Sequence, residues 1–307
     1  MTDKNGAPGG PELHIPAVAT PSRRRIRVSI ALTGLATALI VYLIASRGHE
    51  ILVAAQRISA PRFAAITALT LVALGLRSMS WKVAISDIAK VSLPFAWNVT
   101  ALVALGGYIN IYLGFAARVT FARRFGPKSL TIANLGVAEG AMIAIEAVIA
   151  LGLVALFATR VGVPLVVGLL GFAAAVAAIL ALRWYALRGA RLLRGSAFAN
   201  SRSLAIIGVL LAGVLLLQIF RVALALEAVG LPYSLFTATV AFLAMGILAT
   251  LPIGPSSFPA AMALVFVGHD LDRALAAGLA VLSASLLAAL IAAPPALYML
   301  WRNRGET

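Results

Sequence analysis

Four ionisable side chains sit inside stretches otherwise built from Ala, Leu, Val and Ile: Arg77, Glu139, Glu146 and Arg221. A charged group in hydrocarbon costs at least ~2.5–3.5 kcal/mol on insertion scales, so such residues face a protein interior or a water-filled path and pair there. Glu139 and Glu146 are seven residues apart, which puts both carboxylates on one face of a helix. Glu146 falls near the middle of its stretch. Its chemistry would be to bind a cationic headgroup or to pair with an arginine; a structural ion pair or a protonated, hydrogen-bonded acid accounts for the same residues. Arg77 and Arg221 each lie late in an apolar run. They could grip a phosphate through the guanidinium fork, or snorkel to the interface along their aliphatic stems. Gln218, one turn before Arg221, extends the polar stripe.

A second set of candidates occupies breaks in apolar runs. Gly106 and Gly107 interrupt one run and are followed by Tyr108 and Asn110; another contains Leu251-Pro252-Ile253-Gly254-Pro255-Ser256-Ser257-Phe258-Pro259. Three prolines this close cannot sit inside one continuous helix, because each removes a donor and clashes with the preceding turn. Backbone left unpaired at such a break must line water or pack on protein, so Asn110, Ser256 and Ser257 are candidate ligands; capping of local backbone is their other reading. Gly106, Gly107, Pro252, Gly254, Pro255 and Pro259 are the candidate hinges.

Other chemistries find little support. The chain has no cysteine, and His14, His49 and His269 are isolated, with no spacing that suits a metal. Ser257, His269 and Asp270 have no nucleophile elbow around them. No metal, no cofactor and no enzymatic activity are expected.

These residues must be positioned by helices in a bilayer. Of 307 residues 62% are hydrophobic and 11% charged, whereas soluble domains carry about a quarter charged residues. The runs are continuous, so a β-barrel, which alternates apolar and polar residues, is excluded. The net charge of +15 comes from arginines flanking apolar runs, where they set topology and meet anionic lipid headgroups; no nucleic-acid partner is expected. Residues 1–25 read as a disordered cytoplasmic tail and 26–302 as a single transmembrane domain, followed by a short tail at 303–307.

Eight apolar segments can be drawn, at 26–46, 61–86, 95–117, 130–158, 163–183, 203–226, 234–267 and 274–301. If all eight cross, thirteen Lys and Arg fall outside against ten inside, which violates the positive-inside rule. If 95–117 and 234–267 are re-entrant hairpins, eighteen fall inside and five outside. The expectation is therefore an all-α polytopic membrane protein with about six full spans, two re-entrant hairpins and both termini cytoplasmic. Span, hairpin and span then recur in opposite sense: 61–86, 95–117, 130–158 against 203–226, 234–267, 274–301. Such an inverted repeat with paired broken segments points to a transporter whose site lies at the hairpins. Gly136-x-x-x-Gly140 also permits close helix packing.

Four stretches carry a family resemblance. They are Arg77-Ser78-Met79-Ser80-Trp81; Asn110 with Ala116-Ala117-Arg118-Val119-Thr120-Phe121-Ala122-Arg123-Arg124; Glu139; and Leu251 through Ser257. In their order and spacing they resemble the transmembrane region of lysylphosphatidylglycerol synthases, a flippase-like membrane family, over roughly 26–301. The resemblance aligns Arg118 with the arginine of a Pro-x-Arg-x-Gly-Glu-x-x-Arg pattern and Glu139 with the glutamate of Glu-Arg-x-x-Asp. Ala116, Thr120 and Phe121 replace the first pattern's Pro, Gly and Glu. Gly140 and Ile143 stand where Arg and Asp would be; Ser256, Ser257, Pro259 and Met262 replace Gly, Gly, Gly and Glu.

The resemblance implies a lipid flippase-like transporter of a bacterial plasma membrane, with membrane lipids of anionic headgroup as partners. Arg77 and Arg221 would then hold phosphate, Glu139 and Glu146 would bind positive charge or gate the path, and Arg118 would be a further substrate-binding residue. Synthase activity is not expected, since no aminoacyl-transferring domain is expected beyond the last span. The missing carboxylates suit a second reading: a non-transporting scaffold for a glycosyltransferase or lipid-modifying synthase. A homodimer or such an enzyme would be its protein partner.

Overall fold

The computed structural model describes residues 38, 41–42, 45–109, 111–157, 165–188, 196–249, 257–266 and 270–302. Among the described residues the chain is helical and has no strand. In chain order the helices are α1 (Gly48–Ala55), α2 (Ala60–Ser86), α3 (Leu93–Ile109), α4 (Ile111–Phe125), α5 (Ile132–Phe157) and α6 (Leu165–Leu187). After a 3₁₀ turn at Ala197–Ala199 come α7 (Ser201–Ala228), α8 (Leu235–Ala249), α9 (Ser257–Val265), α10 (Leu271–Ala292) and α11 (Pro294–Arg302).

Five of these, α2, α5, α6, α7 and α10, are long and apolar enough to cross a membrane. The protein is a multi-pass α-helical membrane protein. The sixth span expected from the sequence, 26–46, and the terminal tails lie largely or wholly outside the described residues.

Helix ends follow local chemistry. Asn200 caps α7 by accepting from the backbone N–H of Arg202 and Ser203 at 3.0 and 3.3 Å. The same helix stops at Gly230, whose φ of 75° is the left-handed conformation that lets Leu231 N–H reach Leu226 O and Gly230 N–H reach Glu227 O.

Two sequence expectations need correction. The segment 274–301 is not one span: α10 ends at Ala292, and a separate short helix, α11, begins at Pro294. Pro294 lacks an N–H and its ring clashes with the carbonyl four residues back, so the chain redirects after Ala293. The break in 95–117 does not fall at Gly106-Gly107 either. Both glycines lie within α3, which continues to Ile109. A helix tolerates glycine at about 1 kcal/mol each, so two of them do not end one.

The arms of each broken segment pack on each other, α3 on α4 and α8 on α9. In the first pair the chain returns to the end it left, because Phe95 near the start of α3 lies against Gly126 just beyond α4. These pairs are called hairpin 1 and hairpin 2 below.

At the centre, α2 and α7 share the most extensive helix contact. They run antiparallel. Asp87, just past the end of α2, accepts from Ser203 Oγ at 3.1 Å and Asn200 Nδ2 at 3.4 Å, while Arg62, near its start, pairs with Glu227 at 3.4 Å. Helix α2 also packs on α3, α5 and α10, and α7 on α8, α10 and α5. Exchanging α2, α3 and α5 for α7, α8 and α10 turns one set into the other.

Two apolar cores follow from this arrangement. One gathers Trp81 and Ile85 of α2, Ile207 and Leu211 of α7, hairpin 1 and α5. The other gathers Ile66 of α2, Val222 and Leu226 of α7, hairpin 2 and α10. Each hairpin thus stands at its own end of the α2–α7 pair.

Candidate functional site

The polar centre is built from α2, α4 and α5. Arg77 of α2 grips Glu146 of α5 with both arms of its guanidinium: Nη1 lies 2.8 Å from Oε1 and Nη2 donates to Oε2 at 3.2 Å. This fork-to-fork geometry is the strong form of an ion pair. The pair is reachable, with side chains 37% and 24% exposed, although both of its helices are long and apolar enough to cross a membrane.

Behind it, Arg118 of α4 pairs with Glu139 of α5. Arg118 is only 2% exposed and Glu139 17%. The Arg118 guanidinium stands over the indole of Trp81, 5.6 Å from the ring centroid, one turn beyond Arg77 on α2. The two arginines are close enough for their charges to repel. The seven-residue spacing of Glu139 and Glu146 therefore gives two parallel ion pairs on one face of α5.

Two buried donors in this cluster, Trp81 Nε1 and Arg118 Nε, have no hydrogen-bond partner among the described residues. Buried N–H groups ordinarily find one, so this region has spare capacity for an acceptor.

Arg221 of α7 is buried, at 5% exposure. Its Nη1 donates to Thr70 Oγ1 of α2 at 3.1 Å and to Ser285 Oγ of α10 at 2.6 Å, and its guanidinium stands 5.7 Å from the ring of Phe258 in α9. It joins four helices.

The two halves can be put in register from their helix starts. Glu139 and Glu146 are the eighth and fifteenth residues of α5; Gly278 and Ser285 are the eighth and fifteenth of α10. In each half an arginine of the first helix therefore bonds the fifteenth residue of the last: Arg77 to Glu146, and Arg221 to Ser285. At the eighth position Glu139 meets the returning arm of hairpin 1 through Arg118. Gly278 meets that of hairpin 2 through backbone, since a Cβ there would lie 2.6 Å from Pro259 Cα and 3.1 Å from Phe258 O.

The structure thus brings Arg77, Arg118, Glu139 and Glu146 together and sets Arg221 apart. Ser257 is buried at the start of α9, and Pro259 falls in its first turn, where a missing N–H costs nothing. Asn110, Pro252, Gly254, Pro255 and Ser256 lie outside the described residues. Gly136 and Gly140, whose spacing permits close helix packing, have no atom of the described residues within 4 Å of where a Cβ would stand.

Sequence reasoning missed Thr70, Ser285, Gly114 and Gly278. Only the shared seven-residue spacing in α5 and α10 could have marked the last helix's positions.

Away from this centre, His49, Glu50, Arg57, Asp270, Asp272 and Arg273 line a surface cleft of about 380 Å³. Its charges are largely tied up, as in Arg47–Asp272 at 3.0 Å and Arg273–Asp270 at 2.9 Å. No group of three His, Cys, Asp or Glu suited to a metal ion occurs among the described residues.

No protein family, curated protein or solved structure matches the chain. The site must be read from its own geometry.

Proposed function

We propose that the protein is a flippase-like transporter that moves a phospholipid or lipid-linked substrate across a bacterial plasma membrane. The observation that carries this reading is the reachable Arg77–Glu146 pair, set in the apolar bundle between a hairpin at one end and an oppositely directed hairpin at the other. A buried or half-buried ion pair in hydrocarbon is a functional feature by default, and paired broken helices in inverted repeats are where transporters bind substrate. Arg77 has the fork that fits a phosphate. Arg118 and Glu139 form a second layer behind it, and the unpartnered Trp81 and Arg118 donors supply further capacity for an anionic oxygen. The resemblance to the lysylphosphatidylglycerol synthase transmembrane region supports the same reading.

In this topology there are six spans and two re-entrant hairpins, with both termini cytoplasmic, so the α4 end carrying Arg123 faces the cytoplasm. A cysteine at Arg123 should resist an impermeant external thiol reagent in intact cells, and its labelling would reverse the assignment.

Function is tested by reconstitution with a fluorescent phospholipid, following dithionite-resistant signal. Wild type should equilibrate the two leaflets, and Glu146→Gln and Arg77→Ala should abolish this while eluting as monodisperse protein. Translocation unchanged in both variants would remove the proposed roles.

A scaffold for a separate glycosyltransferase or lipid-modifying synthase is the second reading. It is favoured by the closure of both acid–base pairs onto themselves, which leaves no carboxylate of the cluster free. Stable co-purification of such an enzyme, with no translocation by the isolated chain, would select it.

A further inference from the structure

We infer that the two hairpins are fastened differently, so that hairpin 1 is the unit that moves during transport and the returning arm of hairpin 2 stays fixed. The inference rests on the transporter reading above.

Hairpin 1 is joined tightly to itself. A Cβ at Gly114 of α4 would lie 2.8 Å from Val103 O and 3.0 and 3.2 Å from Gly107 N and Cα of α3. Backbone meets backbone there, so α3 and α4 hold together as one body. Among the described residues no comparable contact ties this body to α5, whose Gly136 and Gly140 have no neighbour within 4 Å of where a Cβ would stand. The tie to α5 consists of apolar side chains and the Arg118–Glu139 pair. Among the described residues its polar ties to the other half are Trp97 Nε1 to Ala292 O, long at 3.3 Å, and Asn98 Nδ2 to the weak thioether acceptor Met299 Sδ at 3.5 Å, beside an apolar contact of Ala101 and Leu105 with Ala292 and Ala293.

Hairpin 2 reverses this pattern. Its returning arm, α9, presses Pro259 and Phe258 backbone into the gap left by Gly278 of α10. Such a contact has no substitute partner and does not come apart without opening a void. An ion pair can exchange partners. An anionic headgroup that reaches Arg118 offers the guanidinium the same charge that Glu139 offers, and Glu139 then lets go. Glu139 is on this account a positioning residue, whose role is to hold hairpin 1 against α5 until an anion replaces it.

The test is double electron–electron resonance on the full-length protein in liposomes, with spin labels at four exposed positions. One pair, Arg123 and Ile143, reports α4 against α5; the other, Leu264 and Leu287, reports α9 against α10. In phosphatidylcholine vesicles each pair should give one distance population. Adding phosphatidylglycerol, or introducing Glu139→Gln in phosphatidylcholine, should add a longer population to the α4–α5 pair and leave the α9–α10 pair unchanged. Glu139→Asp, which keeps the charge, should return the single population. If Glu139→Gln does not fold, the lipid comparison on wild type decides. A second population in the α9–α10 pair, or an α4–α5 distance indifferent to anionic lipid, overturns the inference. Absence of lipid translocation with the α4–α5 response intact would instead count against the transporter reading alone.

Discussion

At the eighth and fifteenth positions of its last helix the first half carries Glu139 and Glu146, where the second carries Gly278 and Ser285. The helices around them have the same order and the same neighbours, yet at these positions the first half ties its last helix by ion pairs and the second by close backbone contact and a serine hydroxyl bonded to Arg221. A carboxylate in hydrocarbon is costly unless a counter-ion, a proton or water stabilises it. A glycine contact and a serine hydroxyl make no such demand. The comparison teaches that a shared scaffold does not require shared chemistry, and that ion pairs at these two positions of the last helix are confined to the first half.

The largest effect should come from breaking the charged half. Arg118→Ala leaves the half-buried Glu139 without its counter-ion and is expected to cost up to about 3–5 kcal/mol, read as a fall in the unfolding midpoint in detergent. Ser285→Ala probes the equivalent tie of the second half. It removes a 2.6 Å acceptor from a buried guanidinium, and about 1.5–3 kcal/mol should be lost. A smaller loss for Ser285 than for Arg118 would sharpen the contrast; equal losses would erase it.

Gly278→Ala should cost about 1–3 kcal/mol through overpacking against Pro259. Gly140→Ala, in the first half, meets nothing and should be neutral or gain up to ~1 kcal/mol of helix propensity. The same unfolding assay separates the two glycines.

The smallest effect lies at the outer ends of the helices. Tyr233 donates to Glu227 at 3.1 Å, and this hydrogen bond, then the carboxylate's charge, raises the phenol above its ordinary value of about 10. Because the folded state holds this proton more tightly, the contribution of the contact is complete below the unfolded value and fades as pH rises through the folded one. Glu227→Gln should shift the ultraviolet phenolate titration downward. An unmoved titration would show that this contact does not form.

Much of this was legible in the residues. Continuous apolar runs gave the helical membrane class, because only a helix satisfies its own backbone in lipid. The spacing of Glu139 and Glu146 gave the shared face, and the prolines after Leu251 gave the division between α8 and α9. What escaped had a physical reason. Pro294-Pro295 lay inside an apolar run whose hydropathy did not change across the break. Gly106-Gly107 invited a break, but glycine only weakens a helix; the glycine that backbone contact requires in this hairpin is Gly114, seven residues after Gly107. Thr70 and Ser285 are small hydroxyl residues of a kind that bonds the preceding turn in any helix, as both also do here. Nothing in their local sequence announced Arg221, 151 and 64 residues away.

Helix α6 packs chiefly on α5, and only 6% of its most apolar stretch is buried, against 61% for α10. It adds almost nothing to either core, yet it lies between two halves whose first helices run antiparallel. Helices α5 and α7 run in the same sense, so a chain that leaves α5 at one end of the bundle must traverse it once to enter α7 at the other, and a single helix is the shortest segment that does so. Its contribution is one of parity. A second copy of α6, or its deletion, would leave every residue of the second half unaltered while turning that half over, and two domains that now face each other would instead stand side by side.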